Sequence, residues 1–298
     1  MFEEEMLAGG VLDELSLTLA LLPHLQSFSS LPDTFRYRSL LVDEFQDLST
    51  RDLSLLRRLV PINLPDALFL CGDTVQRVLV KNLNLNAAGL GTQDTTRRKI
   101  HKNYRNSRNI LEAASLLAKH YGQEAEKYRE EIEFLDPELA IRETAPPQVV
   151  KCVEGHEVER AWEEARQILN AQGQVPWSVC IITALNEGDY SVEKILADRP
   201  NDFPVKADRL TGDYVRHQDT LTVGSMADVK GFEFSTAIVV GCGKKCLPIP
   251  GRAKEEAWRD ALRLYVAMTR ARDGVFLIYS GAPSPFLDVM RQRLNWQE

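Results

Sequence analysis

Between residues 148 and 288, short apolar runs alternate with amphipathic segments, and no other feature of the chain restricts its fold as strongly. "QVVKCV" reads as a strand and "HEVERAWEEARQILNAQ" as a helix; "WSVCIITAL" reads as a strand and "SVEKILAD" as a helix. Strands at "DTLTVGSM" and "TAIVVGC" follow, then the helix "EEAWRDALRLYVAMTRAR", the strand "GVFLIYS" and the helix "SPFLDVMRQRL". Strand–helix alternation of this kind implies an α/β fold, with a mostly parallel sheet covered on both faces.

The first half is less regular. Residues 3 to 29 have helix-like periodicity. "RSLLVDEF" reads as a buried strand, "TRDLSLLRRLV" as an amphipathic helix capped by Thr50, and "ALFLCGD" as a second strand that ends in a carboxylate. Residues 80 to 96, rich in Asn and Gly, read as a loop, and "NSRNILEAASLLAKHY" as a helix. The charged stretch 122 to 147, closing in "APP", reads as a connection. A domain boundary near residue 95 divides the chain into 1–96 and 97–298.

Composition narrows the class. With 298 residues, 44% hydrophobic and 27% charged, the chain is of the soluble globular type, and no apolar stretch is long enough to span a bilayer. The acidic start "MFEEEMLAGG" does not read as a secretory signal, and five scattered cysteines fit a reducing cytoplasm. Cys242 and Cys246 form the only close pair, without a second pair or a spaced histidine, so no metal site is expected there. The net charge of −7 is no footprint for general nucleic-acid binding, although "TTRRKIHKNYRNSRN", residues 95 to 109, is strongly basic.

Five segments carry candidate chemistry. In "LLVDEFQDLS" a strand tip presents Asp43 and Glu44. One carboxylate in such a place can hold Mg²⁺ through water, and its neighbour can activate an attacking water. In "GDTVQR", Gln76 is an uncharged amide suited to sensing a γ-phosphate. In "NYRNS", Arg105 could stabilise charge on a transferring phosphoryl group and Tyr104 could stack on a base. In "VKGFEF", Gly231 permits close backbone approach and Glu233 could bond a ribose hydroxyl. In "YVAMTRAR", Arg270 reads as helical and as a second arginine finger.

As an ordered set, "VDEFQD", "GDTVQR", "NYRNS", "VKGFEF" and "YVAMTRAR" resemble motifs II to VI of superfamily 1 helicases of the UvrD/Rep type. "KNLNLNAAGL" and "PSPFL" resemble a bacterial UvrD-like subgroup, and the resemblance covers residues 35 to 288. It implies two RecA-like domains of the P-loop NTPase fold, with ATP in a cleft between them, single-stranded DNA across both, and translocation driven by closure. Carried over motif by motif, Asp43 would serve Mg²⁺ and Glu44 would be the catalytic base. Gln76, Arg105 and Arg270 would face the γ-phosphate, Tyr104 would stack on adenine and Glu233 would meet the ribose.

The sequence also departs from that pattern. The phosphate loop, G-x-x-x-x-G-K-[ST], is absent: Gly9 and Gly10 have no lysine after them, and "GCGKK" lacks the spacing. Residues 1–96 are therefore expected to form a truncated first RecA-like domain with an unpaired apolar sheet edge, and 97–298 a complete second one without a large inserted domain. "RVLVKN" after Gln76 lacks the family's aromatic residue. Ala227 and Asp228 stand where a histidine is common, and an acid there repels phosphate. Leu262 and Arg263 stand where an arginine is expected shortly before "LYVA".

The expected function is that of a portion of a UvrD-like ATP-dependent DNA helicase. It would couple ATP hydrolysis to movement on single-stranded DNA, and this chain alone would be inactive. A missing N-terminal portion or a partner chain would supply the phosphate loop. The alternative is a non-catalytic helicase-like remnant that binds DNA or protein. Either would be cytoplasmic, without a membrane partner, and would bind single-stranded DNA weakly.

Overall fold

The structure, a computed structural model, describes residues 9–10, 14–25, 28–61, 64, 66–72, 84–91, 95–96, 98, 103–122, 136–172, 175–212, 214, 217–251 and 254–297. Two compact units divide the chain, Met1–Lys99 and Ile100–Glu298. No helix among the described residues is long and apolar enough to cross a membrane.

In the first unit, α1 (Glu14–Leu21) precedes β1 (Leu40–Val42), α2 (Thr50–Arg58) and β2 (Leu68–Leu70). The two strands are parallel, with Leu41 opposite Phe69. Helix α2 is capped by Ser49, not by Thr50 as its sequence suggests. Ser49 Oγ accepts the Asp52 N–H at 3.2 Å, and the Asp52 carboxylate accepts the Ser49 N–H at 2.8 Å. The Thr50 hydroxyl accepts instead from Asn84 N at 2.7 Å, tying the 84–91 segment to the helix. That segment places Ala88 and Leu90 against the buried Leu53, with Phe45, Leu48, Leu68 and Leu70 around them. Asp52 also accepts from Thr18 of α1, and Arg58 donates to the carbonyls of Leu22 and Leu25, so α1 is held at both ends of α2.

The second unit contains β3 (Asn103–Ser107), α3 (Arg108–Gly122), β4 (Ala140–Arg142), β5 (Gln148–Cys152), α4 (Glu157–Gln172), β6 (Val179–Thr183), α5 (Val192–Ala197), β7 (Lys206–Arg209), β8 (Thr220–Ser225), β9 (Phe234–Val240), α6 (Lys254–Thr269), β10 (Ala271–Ser280), α7 (Pro285–Met290) and β11 (Asn295–Gln297). Seven strands form one sheet in the order β11-β5-β10-β9-β6-β8-β7, with every neighbouring pair parallel; β3 and β4 form a separate parallel pair. The interior strands β6 and β8 are buried along their whole length, as parallel strands with helices on both faces must be. Helices α4 and α5 cover one face. There Ala161, Trp162 and Ala165 pack on Val150, Ile181, Ile238 and Ile278. Trp162 donates its indole N–H to Ile195 O at 3.1 Å and meets Phe203 edge-on. The outermost strands are short and polar, "KADR" and "NWQ", which suits a sheet edge.

At the C-terminal ends of the strands lies a buried carboxylate, that of Glu157 in the first turn of α4. Its Oε2 accepts the Gly241 N–H just beyond β9 at 2.8 Å. Its Oε1 accepts the Ser280 N–H at 2.9 Å, the Ser280 hydroxyl at 2.7 Å and the Tyr190 hydroxyl at 2.9 Å. Burial, and after it the charge of Glu157, pushes the Tyr190 phenol well up, so it stays a donor. The same two causes push the thiols of Cys152 and Cys246 up to about 11 and that of Cys242 well above the usual range, which keeps all three protonated and unreactive.

Glutamine at position 157 would keep one oxygen acceptor but turn an NH₂ donor toward a second donor. Glu157→Gln is expected to lower stability by about 1–3 kcal/mol. Urea unfolding followed by tryptophan fluorescence reads this, since all four tryptophans lie in the second unit; an unchanged midpoint would show that the carboxylate does not hold this end of the sheet.

Candidate functional site

In the first unit the candidate residues sit where β1 ends. Asp43 is exposed, and its Oδ1 accepts the backbone N–H of Glu44 at 2.9 Å. Glu44 has φ 52°, the left-handed region, which costs a residue other than glycine about 1–2 kcal/mol. Its side chain receives a hydrogen bond from Nε2 of Gln46, a buried amide that the sequence did not single out.

The tip of β2 closes over this turn. Cys71 N donates to Val42 O at 2.8 Å, and Phe45 N donates to Cys71 O at 3.1 Å. Gly72 then passes so close that a Cβ there would lie 2.1 Å from Gln46 Oε1 and 2.7 Å from Phe45 Cδ1. A side chain in place of the glycine of "GDTVQR" would therefore have to displace Gln46 or Phe45 in the turn that carries Glu44. Gln76 lies outside the described residues.

The second unit gathers three segments far apart in sequence at the N-terminal ends of the adjacent strands β9 and β10. Arg105 comes from β3, Glu233 immediately precedes β9, and Arg270 immediately precedes β10. Arg105 Nε pairs with Glu233 Oε1 at 2.5 Å, with the two side chains 42% and 48% exposed. Tyr104, beside Arg105, is 63% exposed.

Arg270 is only 2% exposed, and its Nε donates to Val266 O at 3.3 Å. It does not sit within a helix, as the apolar periodicity of "YVAMTRAR" suggests. Helix α6 ends at Thr269 and β10 begins at Ala271. The reason is competition for carbonyls. Asn106 Nδ2 donates to Thr269 O at 2.6 Å and to Ala271 O at 2.8 Å, and Phe234 N takes Arg270 O at 2.9 Å. Those three acceptors are thereby held by groups from outside the helix.

No protein-family model matches the chain. No curated protein matches it. Among solved structures, one similar chain is the C-terminal domain of a possible DNA helicase from Lactobacillus plantarum WCFS1. It is 15% identical, with 66% of this chain and 99% of that chain covered and a TM-score of 0.47.

Two further residues refine the sequence reading. Asp228 does not project freely: its Oδ2 accepts from Ser225 N at 2.9 Å and Ser225 Oγ at 2.8 Å, so the carboxylate caps the turn after β8. Asn103, like Asn106, is buried in "NYRNS" and was not marked by its sequence context. A polar residue predicted to lie in an apolar environment is the signal that finds such amides, since burial requires that they be bonded.

The close approach at Gly72 gives a direct test of how the Glu44 turn is held. Gly72→Ala must displace Gln46 or the strand, at a cost of about 1–3 kcal/mol. Amide hydrogen exchange in residues 40–48 is expected to accelerate; exchange at the wild-type rate would mean that the turn has room to spare.

Proposed function

We propose that the chain is part of a UvrD-like ATP-dependent DNA helicase, its units being of the RecA-like P-loop NTPase type. One observation supports this reading above the others: "NYRNS", more than a hundred residues before "VKGFEF" and "YVAMTRAR", is joined to both by direct bonds at one end of β9 and β10. An arginine, a carboxylate and a second arginine so gathered suit a ligand with both phosphate and hydroxyl groups.

On this reading Arg105 and Arg270 face the γ-phosphate and Glu233 meets the ribose. The exposed ring of Tyr104 offers a flat face to adenine. In the first unit Asp43 is an exposed carboxylate, and oxygen donors of that kind suit Mg²⁺, which keeps several of its waters. Bound there, Mg²⁺ would neutralise phosphate charge. Glu44 accepts the proton of an attacking water, with Gln46 orienting its carboxylate. Gln76 contributes an amide toward the γ-phosphate.

The 298 residues hold no phosphate-loop lysine, and without it the β- and γ-phosphates lose their main cradle. The chain alone is expected to bind Mg-ATP weakly and to show no DNA-stimulated turnover. Titration of a fluorescent ATP analogue should detect the binding, and Arg105→Ala and Tyr104→Ala should each remove it. Binding indifferent to both substitutions would defeat the assignment of this site. Turnover abolished by Glu44→Gln would instead show that the chain is a complete ATPase.

Single-stranded DNA binding is expected to be micromolar or weaker at physiological salt, within the non-specific range of roughly 10⁻⁴–10⁻⁶ M, and to fall steeply as salt rises. The acidic net charge argues against more. Fluorescence anisotropy at two salt concentrations measures it, and nanomolar binding that persists at high salt would reveal a competent DNA track.

A further inference from the structure

A closed circuit of hydrogen bonds links the two arginines, and its members are asparagines to which neither sequence nor similarity assigns a role. Asn103 Oδ1 accepts two backbone N–H groups, from Arg105 at 2.8 Å and from Asn106 at 3.0 Å. Asn103 Nδ2 donates to Asn106 Oδ1 at 3.4 Å. Asn106 Nδ2 then spends its two hydrogens on the carbonyls of Thr269 and Ala271, the residues on either side of Arg270. The carbonyl of Arg270 itself accepts from Phe234 N, and Glu233, next to Phe234, pairs with Arg105. The circuit therefore returns to its starting point.

Its chemistry leaves no freedom of orientation. Carbonyls only accept, so the amide of Asn106 must turn its NH₂ to residues 269 and 271 and its oxygen to Asn103. Asn103 must in turn present its oxygen to the two N–H groups. Both amides are buried, where a misplaced donor or acceptor is costly. Each arginine thus has its backbone fixed by the same pair of side chains. Arg105 is fixed through its own N–H, Arg270 through the carbonyls that bracket it.

We propose that Asn103 and Asn106 are positioning residues that hold the backbones of Arg105 and Arg270 in one register, so that the half-exposed Arg105 guanidinium meets an anion from a fixed place beside the buried Arg270. That the anion is a nucleotide phosphate rests on the function proposed above. Neither asparagine touches the ligand. Their work is to prevent β3 and the α6–β10 junction from moving independently, since small displacements of charged groups cost heavily in phosphate recognition.

The test reads the arginines themselves. The side-chain Nε–Hε signals of Arg105 and Arg270, assigned with Arg105→Lys and Arg270→Lys, are recorded for wild type, Asn106→Asp and Asn103→Asp, with inorganic pyrophosphate as the anion probe. Asn106→Asp conserves size but sets carboxylate oxygens against two carbonyls. Asn103→Asp keeps the acceptor for both N–H groups but replaces the donor to Asn106 Oδ1 by a carboxylate oxygen; it serves should the first variant not fold. Val150→Ala, a core truncation away from the circuit, controls for lost stability.

Both asparagine variants should displace both arginine signals and weaken pyrophosphate binding on the order of tenfold, equivalent to about 1.4 kcal/mol. Val150→Ala should lower the urea midpoint and leave the signals in place. Folded asparagine variants whose arginine signals coincide with wild type would overturn the proposal. Displaced signals in a protein that never responds to pyrophosphate would uphold the positioning role and defeat the nucleotide reading alone.

Discussion

One carboxylate, that of Glu157, carries the C-terminal end of the large sheet. In a parallel sheet each strand leaves at the same end as its neighbours, and the last N–H groups there have no ladder partner. Gly241, just beyond β9, and Ser280, the last residue of β10, both give their N–H groups to Glu157. An ionised carboxylate accepts from several directions at once, and this one also takes the hydroxyls of Ser280 and Tyr190. Its place in the first turn of α4 sets the negative charge at the positive end of the helix dipole. Burial first, and this charge after it, raise the neighbouring Tyr190 phenol and the Cys152 and Cys246 thiols, so these groups remain neutral.

The opposite end of the same two strands is built differently. There the backbone is clamped by buried neutral amides; Arg270 is buried with them, while Arg105 and Glu233 are left half exposed. The Arg105–Glu233 pair, open to solvent at both partners, is of a kind worth about 0–1 kcal/mol. A ligand can displace it at little cost. The Asn106 contacts to Thr269 and Ala271 are buried, and breaking them strands two carbonyls. Rigidity and availability are thus assigned to different atoms: the amides fix where the arginine backbones lie, and the exposed charges remain exchangeable.

The first unit shows a similar division on a smaller scale. Glu44 adopts a strained left-handed conformation that persists because its surroundings hold it: Gln46 is buried beneath it, and Gly72 passes at contact distance. The sheet behind this turn is less protected. Among the described residues β1 and β2 pair only with each other, and the facing residues Leu41 and Phe69 are 79% and 62% exposed. Parallel strands are ordinarily covered on both faces.

What could be read in the sequence followed from periodicity. The runs that became β5, β6, β8, β9 and β10 are apolar and bounded by turns, and α4 and α6 carry clear apolar stripes. The elements that escaped notice, β3, β4, β7 and β11, are short and polar or lie at sheet edges, where neither periodicity nor hydrophobicity marks a strand. Helix α6 was read too long because periodicity records which residues are apolar, not which carbonyls are already taken. The candidate site divides along the same line. Charged and aromatic residues such as Glu44, Tyr104, Arg105 and Glu233 stand out within their motifs. Asn103, Asn106 and Gln46 do not, because an amide has no pattern of its own. What Asn106 does depends on the carbonyls that face it, and those belong to residues 163 and 165 positions further along the chain. Such a role is set by tertiary packing, which brings β3, a strand of a separate pair, beside the start of β10, and the sequence of either segment taken alone contains no trace of the other.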